Sequence, residues 1–440
     1  MKIFNIAILN FIFILILLTQ IINTDEPEIQ YVKIGDEFQV NTITDDRQTD
    51  PDICSIGKHG EKFVVVWQNF NREGSDHGVY AQIFDSKNGE KIGSEFKVIE
   101  YTEFVRLMYP SISSIGKHGE KFVVTWFNWG GLDYGVYAQI FDSKNGEKIG
   151  SEFKVIEYTD LVFEMSPSIS SIGKHGEKFV ITWPSYQQDG SGYDIYAQIF
   201  DSNTGEKIDD EFQVNTYTDR YQIDPSVSSI GKKGEKFVIT WQSEGQDGSG
   251  WGIYAQVFDS NTGEKIGNEF QVNTYTDRYQ KYPSVSSIGK KGEKFVITWQ
   301  SEGQDGSGFG IYAQVFDSNT GEKIDEEFQV NTYTESSQIY PSVSSIGKHG
   351  DQFVITWQSN GQDGSYNGIY AQVFDSNTGE KIDDEFQVNT HTDNRQEYPS
   401  VSSIGKHGEK FVITWQSYGQ DGSDYGIYAQ IFSSKKEEEI

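Results

Sequence analysis

The chain has 440 residues, a formal charge of −30, 14% aromatic residues and 45 glycines. That aromatic content excludes an acidic disordered chain, and the acidity excludes nucleic-acid binding, which needs a basic footprint, as well as adsorption to an anionic membrane surface. Cys54 is the single cysteine, so no intrachain disulfide forms and packing must hold the fold.

Met1-Lys2 opens the chain, residues 3–22 are almost wholly apolar, and Asn23-Thr24-Asp25 are polar. This pattern predicts a secretory signal over residues 1–24, with an uncleaved membrane anchor as the alternative. The product is expected outside the cell or tethered to its surface, with no membrane contact beyond this segment. Residues 25–434 are read as one domain, and residues 435–440 as a charged tail.

From Glu37-Phe-Gln-Val-Asn-Thr42 onward the sequence is periodic. Trp67, Trp126, Trp183, Trp241, Trp299, Trp357 and Trp415 mark seven units of about 58 residues, and such a period identifies a repeat architecture. Each unit holds four strand candidates. In the fifth these are Glu269–Thr274, Pro283–Ile288, Phe295–Gln300 and Gly310–Phe316. They are β-branched and aromatic, and turn residues bound them. Glycine and asparagine in the connections supply the positive φ that hairpins require.

Seven four-stranded antiparallel units predict an all-β, seven-bladed β-propeller. The small, serine-rich Pro-Ser-Val-Ser-Ser suits strand A at the crowded axis. Phe-Val-Ile-Thr-Trp is then B, Ile-Tyr-Ala-Gln is C and Glu-Phe-Gln-Val is D. The chain therefore starts on a D strand and ends on a C strand at Gly426–Phe432, so the N-terminal strand is expected to complete the last blade and remove an open edge.

In such blades the B–C and D–A loops share one face, and the A–B and C–D turns share the other. The first face carries Gln-Asp-Gly-Ser loops, each followed by an aromatic. Tyr193, Trp251, Phe309 and Tyr425, with Asp189, Asp247, Asp305 and Asp421, are the candidate ligand-binding residues. The rings would stack on sugars while the carboxylates accept hydrogen bonds from hydroxyls. The bland reading is that the rings pack on neighbouring loops and the Asp-Gly pairs make turns. Calcium takes six to eight oxygen ligands, and one Asp per loop falls short of a full ligand set, so no metal or cofactor is assigned. The histidines of the second face, such as His59 and His118, are spread one per blade and read as solvated turns.

The unit Trp241-Gln-Ser-Glu-Gly-Gln-Asp-Gly-Ser-Gly-Trp-Gly-Ile-Tyr-Ala-Gln256 resembles repeats of large secreted bacterial adhesins and hemolysin-type proteins. That resemblance implies an extracellular, non-enzymatic role. Asp259-Ser-Asn-Thr-Gly-Glu-Lys-Ile266 is more distantly similar to the Asp-box turn of sialidases, which is a structural turn. The leading expectation is a non-enzymatic binding module for a glycan or protein ligand. The alternatives are a structural surface or matrix protein, or a sialidase-like glycosidase. A glycosidase needs two carboxylates, and a sialidase-like enzyme also needs clustered arginines. Arg47, Arg72, Arg106, Arg220, Arg278 and Arg395 all fall on first-face loops but spread over several blades. Near-identical repeats offer no evident unique constellation.

Overall fold

The computed structural model describes residues 31–45, 47–70, 77–99, 106–129, 134–157, 166–188 and 192–434. The expected signal or anchor and the charged tail lie outside them. Seven four-stranded antiparallel sheets form the blades of a β-propeller. Blade 4 shows the plan, with A at Gln222–Ile230, B at Lys236–Glu244, C at Trp251–Asp259 and D at Lys265–Gln271. The A strands of blades 1, 2, 3, 5, 6 and 7 begin at Arg47, Arg106, Ser168, Gln280, Gln338 and Gln396.

Strands B and C are buried on both faces, as their continuous apolar runs require. The reason is that each blade shares its core with its neighbour. Ile195, Ala197 and Val214 of blade 3 pack with Phe237, Ile239 and Trp241 of blade 4 in one cluster. A 58-residue unit alone buries only a marginal core, and stacking enlarges it.

The ring closes as expected. Tyr31–Gln39 pairs antiparallel with Tyr425–Ser434 and becomes the D strand of blade 7. On the second face the A–B turns are linked head to tail by seven backbone hydrogen bonds. They run from Gly57 N–H to Gly119 O at 2.8 Å, round to Gly405 N–H to Gly60 O at 2.9 Å. Gly60 has φ 62°, and a Cβ there would lie 3.1 Å from the Gly405 carbonyl oxygen, so only glycine lets adjacent turns approach this closely. Nearer the first face, serines take over the inter-blade contact. The Val285 N–H donates to Ser226 Oγ at 3.3 Å, and the Ser287 N–H to Ser228 Oγ at 3.2 Å. The serine-rich A strand is thus explained by backbone groups at the axis that need short side-chain acceptors.

The D–A loops are pinned on the first face by the Asn of each Asn-Thr-Tyr segment. Asn273 accepts from the Ile253 N–H at 2.7 Å and donates to Tyr275 O at 2.8 Å. The C–D turns are Asx turns, in which Asp259 Oδ1 accepts from the Asn261 N–H at 2.8 Å.

Candidate functional site

Every A strand enters the axis from the first face through a residue–Pro–Ser or residue–Pro–Asp triplet. In six blades the residue before proline has φ between 52° and 54°: Asp50, Tyr109, Asp224, Tyr282, Tyr340 and Tyr398. Proline disfavours the right-handed helical region for the residue preceding it. The pairing register also breaks here, as between Lys281 and Ser284, so two residues of strand A oppose one of strand B. Such a bulge re-aims a side chain. The freed backbone N–H goes to the glutamine after the repeat tryptophan in the preceding blade: Tyr282 to Gln242 at 3.0 Å, Tyr340 to Gln300 at 3.0 Å, Tyr398 to Gln358 at 3.2 Å, and Asp50 to Gln416 at 3.1 Å. A left-handed conformation at a non-glycine residue costs about 1–3 kcal/mol and is concentrated at functional sites.

The bulges line a cavity of about 320 Å³ at the mouth of the central channel. Its wall is not seven-fold. Blades 1 and 4 contribute Asp50 and Asp224, blades 2 and 3 contribute Tyr109 and Ser166, and blades 5 to 7 contribute Tyr282, Tyr340 and Tyr398. The last three rings run side by side, with centroids 4.8 and 4.5 Å apart. Asp224 accepts from Ser166 Oγ at 3.3 Å, and Asp50 accepts from Thr49 Oγ1 at 3.0 Å. Burial raises the Asp50 carboxyl above the usual carboxylate range, against the opposing pull of the Thr49 hydrogen bond and Arg47. Burial, then Tyr340 and then the Asp50 charge, push the Tyr398 hydroxyl up.

One layer deeper, Asp52 stands where blades 2 to 7 have serine. It accepts from Ser400 Oγ at 2.8 Å, the Ile53 N–H at 2.9 Å and the Ile112 N–H at 3.0 Å. Desolvation outweighs these bonds and raises its carboxyl. A raised carboxyl means that the folded state holds its proton more tightly than the unfolded one. The stability this brings is full below the ordinary carboxyl range and is lost as pH rises through the folded value. Asp52→Ser, which restores the ring serine, is therefore expected to raise Tm by roughly 2 °C at pH 7, with the difference shrinking toward pH 3. Calorimetry at the two pH values checks this, and a lower Tm at pH 7 would show that the carboxylate's hydrogen bonds dominate.

The sequence-predicted residues lie farther from the axis, on the B–C loops, and do not converge. Tyr193 packs between Tyr186 and Tyr221, at centroid distances of 4.9 and 5.6 Å. Trp251 forms a β-bridge with Tyr279, and the Lys281 ammonium lies 5.6 Å from its ring. The Phe309 N–H donates to Ser337 Oγ at 3.3 Å. Tyr425 is only 7% exposed. Asp247, Asp305 and Asp421 accept from the N–H groups of Ser249, Ser307 and Ser423 at 3.0, 3.1 and 3.0 Å. Their second oxygens press on Gly252, Gly310 and Gly426, where a Cβ would fall 2.7, 2.6 and 2.6 Å away. These carboxylates are thus turned into the blade, and the rings lie against the next blade's loop. Asp189 lies outside the described residues. Among the described residues no cluster of metal-ligating groups occurs, and no helix is long and apolar enough to cross a membrane.

Sequence reasoning passed over the residue before each proline. Its signal was present, because aligning the seven units shows that position varying between Asp, Tyr and Ser while Pro stays fixed.

No family model matches the chain, and no curated protein matches it. Solved structures do. The α-L-arabinofuranosidase arb93a of Fusarium graminearum, solved as a point mutant in complex with an iminosugar inhibitor, is 14% identical over 74% of this chain and 92% of its own, with a TM-score of 0.50. The NanB sialidase of Streptococcus pneumoniae is 6% identical over 92% and 71%, with a TM-score of 0.49. At such identity the likeness to the arabinofuranosidase is one of fold. The expectation of a non-enzymatic binding module is therefore not supported, since a solved propeller of this fold is an arabinofuranosidase. That expectation rested on the resemblance to adhesin-type repeats and on near-identical repeats lacking a unique constellation. Here the axial mouth gathers one residue from each blade, two aspartates and a serine among four tyrosines.

Proposed function

We propose that the axial mouth is the active site of a glycoside hydrolase, with Asp50 and Asp224 as its carboxylate pair. The observation that carries this reading is the pair itself, on blades 1 and 4 of one cavity, faced by the tyrosines of blades 5 to 7. Its volume of about 320 Å³ lies within the ~300–1,000 Å³ of small-molecule sites. The fold shared with an arabinofuranosidase supports the reaction class.

Hydrolysis of a glycosidic bond needs one carboxyl that holds a proton for the leaving oxygen and one that is ionised. Burial suits Asp50 to the first role, because its neutral form is favoured. Asp224 is the second, steered by Ser166. The proton passes from Asp50 to the departing oxygen as the bond to the anomeric carbon breaks. Water completes the reaction by giving its oxygen to that carbon and a proton to a carboxylate. The tyrosine wall offers ring faces for the apolar side of a sugar. The apolar segment at residues 3–22 supports an extracellular substrate.

The test is hydrolysis of a panel of aryl pentofuranosides and hexopyranosides. Asp50→Asn and Asp224→Asn are each expected to lower kcat by about 10²–10⁴-fold without lowering Tm. A dinitrophenyl leaving group, which needs no proton, should restore Asp50→Asn and leave Asp224→Asn impaired. No hydrolysis of any substrate by the wild-type chain, or unchanged rates in both variants, would overturn the assignment.

A further inference from the structure

On the same face, at the seam where blades 6, 7 and 1 meet, lies a second cavity of about 490 Å³. Arg47, Arg395, Tyr366, Tyr418, Tyr425 and Asp424 line it. Its existence follows from two coupled departures from the repeat. In blade 5 the residue preceding Gln280 is Tyr279, which lies against the loop of blade 4. Gly250 there has no room for a side chain, since a Cβ would sit 2.5 Å from the Tyr279 ring. Blade 4 repeats the arrangement with Tyr221 against Gly192, at 2.8 Å. At the seam the tyrosine becomes Arg395 in blade 7 and Arg47 in blade 1. The glycine becomes Tyr366 in blade 6 and Asp424 in blade 7. The plug is thereby lost, and two guanidiniums stand in its place.

Among the described residues they lack the glutamate partner that arginines have in blades 4 and 5. Arg220 and Arg278, on the incoming loops of blades 4 and 5, approach Glu244 and Glu302 at 3.8 and 3.7 Å. At the seam the position of those glutamates is taken by Asn360, Tyr418 and Phe70. Among the described residues neither Arg47 nor Arg395 forms an ion pair. Instead Arg47 lies 5.0 Å from the Tyr425 ring centroid and Arg395 5.8 Å from that of Tyr366. The nearby Glu397 is already engaged, accepting from Asn367 Nδ2 and the Tyr425 hydroxyl at 2.9 Å each and from Gln416 Nε2 at 3.3 Å. Asp424 is the one acid in the lining, against two arginines, in a chain of formal charge −30.

A guanidinium presents a planar fork that pairs with a carboxylate through two parallel hydrogen bonds, and phenol rings offer apolar area with a polar tip. We propose that the seam pocket binds an anionic sugar unit, its acid group between Arg47 and Arg395 and its ring against Tyr366, Tyr418 and Tyr425. The shared chemistry is a negatively charged sugar, either a uronate or a sulfate ester. This proposal does not depend on the axial assignment. The two sites share strand starts, since Arg47 and Asp50 lie on one A strand and Glu397 precedes Tyr398 on another.

Calorimetric titration of the full chain with glucuronate, a galacturonate trimer, glucose 6-sulfate and neutral glucose tests the pocket. The acidic sugars are expected to bind and glucose is not. Arg395→Gln and Arg47→Gln should each weaken binding by about 10–100-fold, with Tm unchanged. Arg220→Gln and Arg278→Gln, on the loops of blades 4 and 5, should bind as wild type, which places the site at the seam. Uronates binding more tightly than the sulfate ester assign the acid group as carboxylate, and the reverse order assigns it as sulfate; either supports the pocket. Acidic sugars that bind no better than glucose, or binding that survives both arginine substitutions, would overturn it.

Discussion

A chain lacking residues 31–43 is expected to lose its cooperative thermal transition, or to melt far below the intact protein. The N-terminal strand is not an appendage. Val40 is fully buried, and Ile34 and Phe38 pack on a cluster containing Phe63, Val65 and Trp67 of blade 1 and Ile427, Ala429 and Ile431 of blade 7. The Phe38 ring lies 5.5 Å from Phe84 across the seam. Backbone pairing runs from Tyr31 opposite Ser434 to Gln39 opposite Tyr428, and Asn41 Oδ1 accepts from the Ile427 N–H at 2.8 Å. Deletion strips the outer strand from blade 7, leaves buried backbone groups without partners and opens one of the seven shared cores. Several buried large side chains at about 3–5 kcal/mol each for the largest amount to the whole net stability of an ordinary domain, about 5–15 kcal/mol. Scanning calorimetry reads the result. A circular permutant that starts at residue 47 and carries residues 31–45 after residue 434 should melt like the parent, because it keeps the strand and moves only the chain break. A deletion that melts with the parent would show that the ring does not need this strand.

Trp241→Ala is expected to cost about 3–5 kcal/mol in denaturant unfolding. Trp241 has no exposed surface, sits in the cluster between blades 3 and 4, and pairs across strands with Tyr254. Truncation leaves a cavity at the joint between two blades, which a β-sheet framework closes only partly. The indole N–H finds no protein acceptor, so Trp241→Phe should be clearly milder than truncation. It removes a buried donor without a partner while keeping most of the ring. Equal losses in the two variants would mean that this N–H is satisfied and matters more than the volume.

The repeat sequence by itself determined the architecture. Period, strand pattern and the unmatched D strand at residues 37–42 led to seven blades, the strand order and the closure. The physical reason is that burial on both faces of B and C, small residues at the axis and glycine in the turns are each written locally, seven times over. Function was not legible in the same way. The aromatic and Asp-Gly motifs stood out because they recur, and recurrence here marks what each blade needs for its own loop: Asp247 caps a turn and Trp251 covers a neighbour. What the tertiary structure alone decided is which single, unlike residues meet. Asp50 and Asp224 are separated by three blades of sequence, and Arg47 and Arg395 by nearly the whole chain, yet a closed ring makes the first blade the neighbour of the last and points every A strand at one axis. A site in a propeller is assembled across repeats, so it shows in the differences between repeats and only after the ring has brought them together.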